Sequence, residues 1–430
     1  MKTAIYELVK DKKVLILGFG REGISSYKMI DSVGGYACLD VADQKPLSVE
    51  ICDCHKRIIG EEYLDHIDEY DVVMKSPGIV LPKDISEYTA NITCQTDLFL
   101  KVFGSQTIGI TGTKGKSTTS TLLYHVLKEA GFDVLLGGNI GIPIFDVTAD
   151  IKADTLIVME LSCHQLEFNH YAPHRSIFLN LYEDHLDHYG TFEKYCAAKK
   201  HIYENQTSAD FVYCNKDFLP SADTCQSTII PIDASLVGLT SWDEVPGAKL
   251  RGAHNFFNAS FDYMVCKDLG VSREVFLSAL ATYNPLAHRL EFLGSKDGVD
   301  YYDDSISTTV ESAISAMKAI DNAGIILLGG MDRGINYNEL VDYLQICKLD
   351  DIILMYDSGL VIKEKLEATA SSDVLDKVHY IKDLKDACDY AKAHAKKGKA
   401  VILSPAAASY GVFKNFEERG DKFKSYIFEE

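Results

Sequence analysis

Positive charge is scarce in this 430-residue chain: 43 Lys and Arg stand against 63 Asp and Glu, a formal net charge of -20. Such a balance disfavours polyanions, which argues against general binding to nucleic acid or to an anionic membrane. An anionic small molecule would have to be held by local cations. Long apolar runs are missing as well. None reaches the ~20 residues that span a bilayer. The beginning, Met1-Lys2-Thr3 leading to Lys10-Asp11-Lys12-Lys13, does not read as an apolar leader. The expectation is a cytoplasmic protein. Paired CxxC sets of the kind that bind zinc are absent. The 11 cysteines are odd in number and scattered, with Cys52 and Cys54 the nearest pair, so reduced thiols are expected. Internal repeats and low-complexity stretches are lacking too. What is left has the composition of a globular protein, 47% hydrophobic and 25% charged, and its length calls for two or three domains.

Against that background one segment stands out, Gly109-Ile110-Thr111-Gly112-Thr113-Lys114-Gly115-Lys116-Ser117-Thr118. A short β-rich run over 107–110 enters a glycine-rich turn and then a helical pattern over 116–130. Glycines let backbone N–H groups approach phosphate oxygens, and the helix N-terminus adds partial positive charge. Lys116 would reach the β- and γ-phosphates of a nucleotide, and Ser117 would ligate magnesium. Gly112 and Gly115 enclose only two residues, so the generic P-loop spacing fails, although strand, turn and helix arrive in the expected order.

The flanking regions repeat the strand–turn–helix theme. Val14-Leu15-Ile16-Leu17 leads into Gly18-Phe19-Gly20-Arg21-Glu22-Gly23 and a helix through Ile30. This is G-x-G-x-x-G after a strand, and Asp40 ends the next candidate strand, 36–39, about twenty residues on. The turn could hold a diphosphate on its helix N-terminus, or the glycines could serve tight packing alone. Asp71-Val72-Val73-Met74 runs into Lys75-Ser76-Pro77-Gly78 in the same way. Further strands are expected at 155–159 and 176–180 and a helix at 192–205. Beyond residue 286 the alternation resumes, with a strand near Tyr301, a helix from Thr309, strands at 325–328, 352–355 and 401–403, and helices near Leu340 and over 383–395. The fold class is α/β in three domains: a Rossmann-like domain over 1–98, a central P-loop domain with a parallel sheet over 99–286, and a C-terminal Rossmann-like domain over 287–430.

Glu160, Asn180 and Glu183-Asp184-His185 fall at or just beyond strand ends of the central region, where ligands gather in such sheets. Glu160 and His185 could hold cations beside the phosphates. Magnesium prefers oxygen, so His185 would mark a second metal position. Taken singly, Glu160 reads equally well as a helix cap and His185 as a loop histidine. Lys199 lies in a helical segment, and nothing in the sequence separates it from Lys200. Asn255 and Asn258 share a helix face. Arg289 could clamp a phosphate bidentately.

Gly112-Thr113-Lys114-Gly115-Lys116-Ser117-Thr118, Gly138-Asn139-Ile140-Gly141, Glu160-Leu161-Ser162, Glu183-Asp184-His185-Leu186-Asp187, Ala197-Ala198-Lys199, His254-Asn255 and His288-Arg289 occur in the order found in the Mur ligases, which this chain resembles along essentially its whole length. The resemblance implies ATP-driven peptide-bond formation through an acyl phosphate, in cytoplasmic peptidoglycan precursor synthesis. It fits best the members that add D-glutamate to UDP-N-acetylmuramoyl-L-alanine, and it implies a monomer. By motif, Gly112, Thr113, Lys114, Gly115, Lys116, Ser117, Thr118, Asn258, Arg289 and Asp304 would meet ATP. Ser117 and Glu160 would hold one magnesium and His185 the second. Lys199 matches the lysine that carbon dioxide carbamylates, which makes it a metal-binding anion. Lys116, Lys199, His185 and Asn139 would be catalytic. The resemblance assigns the uridine diphosphate to Gly20, Arg21, Glu22, Asp40, Ser76, Pro77 and Gly78, and the amino acid to Thr308, Arg333, Ser409 and Phe416.

One departure bears on specificity. The family's Asp-Ser-Lys-Ala-Thr-Asn reads Asp304-Ser305-Ile306-Ser307-Thr308-Thr309 here, so Ile306 replaces the lysine that grips the incoming carboxylate. A hydrogen bond of that charged kind is worth about 1.5–3 kcal/mol, and Arg333 is the expected substitute. The alternatives are a related ligase taking another amino acid such as L-glutamate, a folate-type polyglutamate ligase, a non-catalytic nucleotide-binding subunit, and an NAD-dependent dehydrogenase resting on Asp40 and the first glycine turn.

Overall fold

A computed structural model of the chain describes residues 1–429. Three sheets follow one another along the sequence. The first contains β1 (Lys13–Leu17), β2 (Cys38–Asp43), β3 (Arg57–Ile59), β4 (Val72–Lys75) and β5 (Asn91–Thr93) in the order β3-β2-β1-β4-β5. The second contains β6 (Thr107–Thr111), β7 (Val134–Gly138), β8 (Leu156–Glu160), β9 (Arg175–Phe178), β10 (Phe211–Asn215) and β11 (Thr228–Ile232) in the order β11-β10-β9-β6-β8-β7. Every pairing in these two sheets is parallel. Parallel strands need crossovers, and the helices that supply them cover the sheet faces. That is why the strands are almost continuously apolar. Val14, Leu15, Ile16 and Leu17 of β1 are all fully buried.

The third sheet, β12 (Glu291–Lys296), β13 (Val299–Asp303), β14 (Ala323–Gly329), β15 (Asp351–Met355), β16 (Val378–Tyr380) and β17 (Ala400–Leu403), has the order β12-β13-β17-β14-β15-β16. It is mixed: β12 and β13 form an antiparallel hairpin, and the other pairings are parallel. Thr309 caps the helix Val310–Ala319 instead of beginning it, with its hydroxyl accepting from the Ser312 amide.

The chain falls into two compact units, Met1–Ser241 with Phe256–Leu280, and Trp242–Asn255 with Ala281–Glu430. The first two sheets share the first unit, where one hydrophobic cluster links Val14, Ile16 and Met74 with Phe99, Phe145, Met159 and Phe178. In the second unit, two clusters occupy opposite faces of the third sheet.

The strand expected at 36–39 lies further on. Gly34 and Gly35 have φ of 67° and 87° and break the preceding helix, and pairing begins only where Cys38 meets Lys13. Asp40 is therefore in mid-strand. Its oxygens accept from the Lys56 amide (2.7 Å) and the Tyr70 hydroxyl (2.8 Å). Asp43 takes the strand-end position beside the glycine turn and accepts from the Phe19 amide at 2.6 Å.

Candidate active site

The first glycine turn is built for close approach. A Cβ on Gly23 would stand 2.0 Å from the Gly18 carbonyl oxygen, so only glycine lets the helix Arg21–Val33 sit this near β1. Ser76 donates its hydroxyl to the Gly18 carbonyl at 2.7 Å and ties the two turns together. Gly20, Arg21, Glu22, Ser76, Pro77 and Gly78 line one cavity of about 380 Å³, together with Asp43 and with Asn139 and Gly141 from the second sheet. Six of the seven residues assigned to the diphosphate substrate are thus brought together, and Asp40 is not among them. Arg21 donates to the Gly141 carbonyl at 3.2 Å. Burial pushes the Glu22 carboxyl above its usual range, while the Gln165 amide that donates to it pulls the other way.

Lys75, beneath the second turn, was not singled out by motif. It is 3% exposed, and its Nζ lies 3.4 Å from the Ser76 carbonyl, the Pro77 carbonyl and Glu167 Oε2. It also sits over the Phe168 ring. Burial lowers its pKa, opposed by the Glu167 charge. Glu167 is shared with His188, whose Nε2 is 3.4 Å from the same oxygen.

The P-loop joins β6 to the helix Lys116–Glu129. Gly115, just before the helix, has φ 89°, and a Cβ there would lie 2.7 Å from Asn258 Oδ1. This explains both the glycine and the place of Asn258 against the loop. Lys116 donates to the Gly112 carbonyl (2.9 Å) and the Thr113 carbonyl (3.0 Å). Lys199, on the helix Phe192–Glu204, donates to the same Gly112 carbonyl at 2.8 Å. Lys199 is 1% exposed, whereas Lys200 is half-buried, which is the distinction that sequence could not draw. Its pKa falls to about 7, first through burial and second through the Lys116 charge. Its ammonium also lies over the Tyr195 ring.

Two further residues fix the loop and carry no recognisable motif. Asn180 pairs with the Lys114 backbone in both directions, accepting its N–H at 2.9 Å and donating to its carbonyl at 3.0 Å. The Tyr195 hydroxyl shares a hydrogen bond of 2.8 Å with Thr113. Their signal is a strand end and an aromatic one turn before Lys199. The strand end marks Asn180 in the sequence, whereas Tyr195 carries no meaning until the fold brings it to the loop.

Glu160 ends β8, beside β6, and is 2% exposed. Asn139 donates to its Oε1 at 2.7 Å, and its Oε2 is buried without a hydrogen-bond partner. A buried carboxylate oxygen left unpaired is costly unless a cation or donor completes it. That fits a magnesium ligand, with Ser117 on the neighbouring P-loop helix. His185 has φ 53°, and its amide donates to Asp184 Oδ1 at 3.0 Å. Its ring meets that of His164, with centroids 4.8 Å apart. Burial first, then the charges of His188 and His185, lower the His164 pKa to about 4.

In the second unit, His288 pairs with Asp303 at 2.6 Å, which raises its pKa. Asp304 accepts from the Leu290 amide (3.0 Å) and the Ser404 hydroxyl (2.7 Å), and burial lifts its pKa to about 6. The Arg289 Nε is buried without a partner. Ile306 and Thr308 are half-buried, Ser409 is buried, and Arg333 is exposed. Phe416 begins the helix Phe416–Phe428 and packs its ring edge-on against His288. Arg419, fully buried, donates to Ser305 and to the Ala407 carbonyl, fastening that helix beneath the Asp304 turn. A Cβ on Gly420 would fall 2.1 Å from His288 Nδ1.

Known proteins resemble this chain along most of its length. The Mur ligase middle domain matches residues 110–229 and the Mur ligase glutamate ligase domain residues 288–407. The chain is 32% identical to the UDP-N-acetylmuramoylalanine–D-glutamate ligases of Streptococcus agalactiae serotype III and Geobacillus kaustophilus, covering 96% of each partner. It is 32% identical to that of Listeria monocytogenes serotype 4b, covering 98% of this chain and 97% of that one. Among solved structures, the Thermotoga maritima MurF ligase in complex with ADP aligns with TM-score 0.58 at 15% identity, over 99% of this chain and 98% of the other. The UDP-N-acetylmuramate-alanine ligase MurC of the same organism aligns with TM-score 0.55 at 16% identity, over 96% and 98%. At these identities the structural likeness is one of fold.

Proposed function

The chain belongs to the Mur ligase family, and we propose on that premise that it is the ATP-dependent ligase joining D-glutamate to UDP-N-acetylmuramoyl-L-alanine in peptidoglycan precursor synthesis. In the reaction, a carboxylate oxygen of the UDP-linked alanine bonds to the γ-phosphorus and ADP leaves. The glutamate nitrogen then attacks the acyl phosphate carbonyl, loses a proton and expels phosphate. Charge builds up on phosphoryl oxygens in the first step, and stabilising it is the main work of the protein.

The observation that carries this reading is the meeting of Lys116 and buried Lys199 on one P-loop carbonyl, beside a strand whose Glu160 keeps an unpartnered oxygen. We assign Gly112, Thr113, Lys114, Gly115, Lys116, Ser117, Thr118 and Asn258 to the nucleotide, and Arg289 and Asp304 on the strength of their motif. Magnesium, when bound to Ser117 and Glu160, with His185 and Lys199 at a second position, neutralises phosphate charge. Lys199 with a pKa near 7 is uncharged in much of the protein at neutral pH, and an uncharged amine is what reacts with carbon dioxide. Asn139, held by Glu160 and lining the substrate cavity, orients the acceptor carboxylate. By domain, the diphosphate is assigned to residues 1–98, most of the nucleotide set to 99–286, and the amino acid to 287–430, with Thr308, Arg333, Ser409 and Phe416.

The test is amino-acid-dependent phosphate release from ATP with UDP-N-acetylmuramoyl-L-alanine. Turnover is expected with D-glutamate. Faster turnover with L-glutamate would favour the second reading, which the apolar Ile306 motivates.

A further inference from the structure

Three triads of metal-ligating side chains come together among the described residues, and two are already satisfied. In Cys52, Cys54 and His55, both imidazole nitrogens are taken, Nδ1 by the Tyr27 hydroxyl at 2.8 Å and Nε2 by the Tyr36 hydroxyl at 3.3 Å. In His288, Glu291 and Asp303, the histidine is closed onto Asp303. In the third triad, Cys163, His164 and His185, the internal closure is the weaker hydrogen bond between the Cys163 thiol and His164. The ligand atoms of this triad all lie within 4.8 Å of one another, and Cys163 Sγ and His164 Nδ1 are 3.6 Å apart.

We propose that Cys163, His164 and His185 form a binding site for a borderline-soft divalent cation, Zn²⁺ in the first instance. Tetrahedral zinc, with bonds of about 2.3 Å to sulfur and about 2.0–2.1 Å to nitrogen, needs donors roughly 3.3–3.6 Å apart. The Cys163–His164 pair already has that spacing, and small side-chain rotations bring in His185. Thiolate and imidazole ligands favour zinc over magnesium, which prefers oxygen. On binding, the Cys163 thiol gives its proton to solvent and its sulfur lone pair to the metal, and both imidazoles donate as neutral ligands. A net charge of +1 and a fourth position for water remain.

The surroundings support a site, not a chance cluster. Cys163 is 2% exposed and sits in the short helix Cys163–Leu166, fixed by the reciprocal Ser162–Gln165 cap. His185 is exposed, which gives the ion access from solvent. The His188 ring packs edge-on against His164, with centroids 4.4 Å apart, and Glu167 holds His188 in that place.

His185 is the residue assigned above to the second magnesium, so zinc here would compete with catalysis. That consequence rests on the proposed function; the binding does not. The chelator-stripped full chain should bind one Co²⁺ with a near-ultraviolet thiolate-to-cobalt absorption band, displaced by Zn²⁺. Cys163→Ser should abolish the band, and His164→Phe should weaken Zn²⁺ binding about tenfold or more. Thermal melts of both variants establish that they are folded. No band in the wild-type chain, or Zn²⁺ affinity unchanged in both folded variants, overturns the site. Micromolar Zn²⁺ added to the Mg²⁺-supported ligase should inhibit the wild type more than either variant. If the band is present and turnover is indifferent to Zn²⁺, the site stands and the magnesium role of His185 falls.

Discussion

Two buried lysines of the first unit each serve a glycine-bearing turn, and their surroundings are opposite. Lys75 props the Ser76-Pro77-Gly78 turn with Glu167 at 3.4 Å and an aromatic face beside it. Lys199 touches the P-loop through one carbonyl, and the charge that shifts it most is another cation, Lys116, with Asp184 opposing more weakly. No carboxylate stands within ion-pair distance of Lys199 among the described side chains. Both are desolvated, yet only Lys75 has a carboxylate within ion-pair distance. Burial with a counter-ion makes a structural strut, and burial against a like charge makes a reactive amine.

The comparison breaks most visibly in turnover. Lys199→Ala should lower ligase turnover roughly a hundredfold or more, with partial recovery on adding a short carboxylic acid, while Lys200→Ala changes little. Equal losses in the two variants would remove the distinction between them. Next in size is stability. Glu167→Ala leaves Lys75 buried without its carboxylate and should cost about 3 kcal/mol in urea unfolding; a neutral result would mean the pair is not a strut.

The pH dependence sharpens the contrast. Lys199 has a folded pKa near 7, below the ordinary lysine value, so its neutral form dominates above pH 7 and its ammonium below. Carbamylation by ¹³C-bicarbonate, read by NMR, should be roughly tenfold more extensive at pH 8 than at pH 6. A signal independent of pH would refute this. The smallest effect is on folding. An unfolded lysine holds its proton to about pH 10.4, so between pH 7 and that value the native state binds fewer protons and stability rises with pH. Lys199→Met removes that burden and should raise Tm by a few degrees at pH 7, with less gain at pH 9.5. A fall in Tm at pH 7 would show that the bond to Gly112 outweighs desolvation.

Much of this was legible in sequence because local patterns encode it. The apolar runs of β1, β6 and β14 and the glycine turns gave the sheets, and the P-loop lysine was placed by its motif. Asp40 was misplaced because the broken helix at Gly34 and Gly35 delays pairing until Cys38, a tertiary matter. Lys75 and the Cys163–His164–His185 cluster were illegible for a related reason: each takes its meaning from a partner further along the chain, as Lys75 does from Glu167, 92 residues away. Lys199 and Lys200 look alike until packing buries one of them. The antiparallel edge of the third sheet likewise lies in a hairpin turn that alternation alone did not announce.

The Gly112 carbonyl has two lone pairs, and the structure gives both to lysines. It therefore acts as a junction through which the two side chains sense each other. When a phosphate draws Lys116 away, one acceptor site falls vacant and the like charge beside Lys199 recedes, which makes protonating that amine easier. Occupancy of the nucleotide site and the chemistry of Lys199 are then linked quantities: a ligand that recruits Lys116 must shift the proton affinity of Lys199, and by reciprocity a modification of Lys199 must alter the affinity for that ligand.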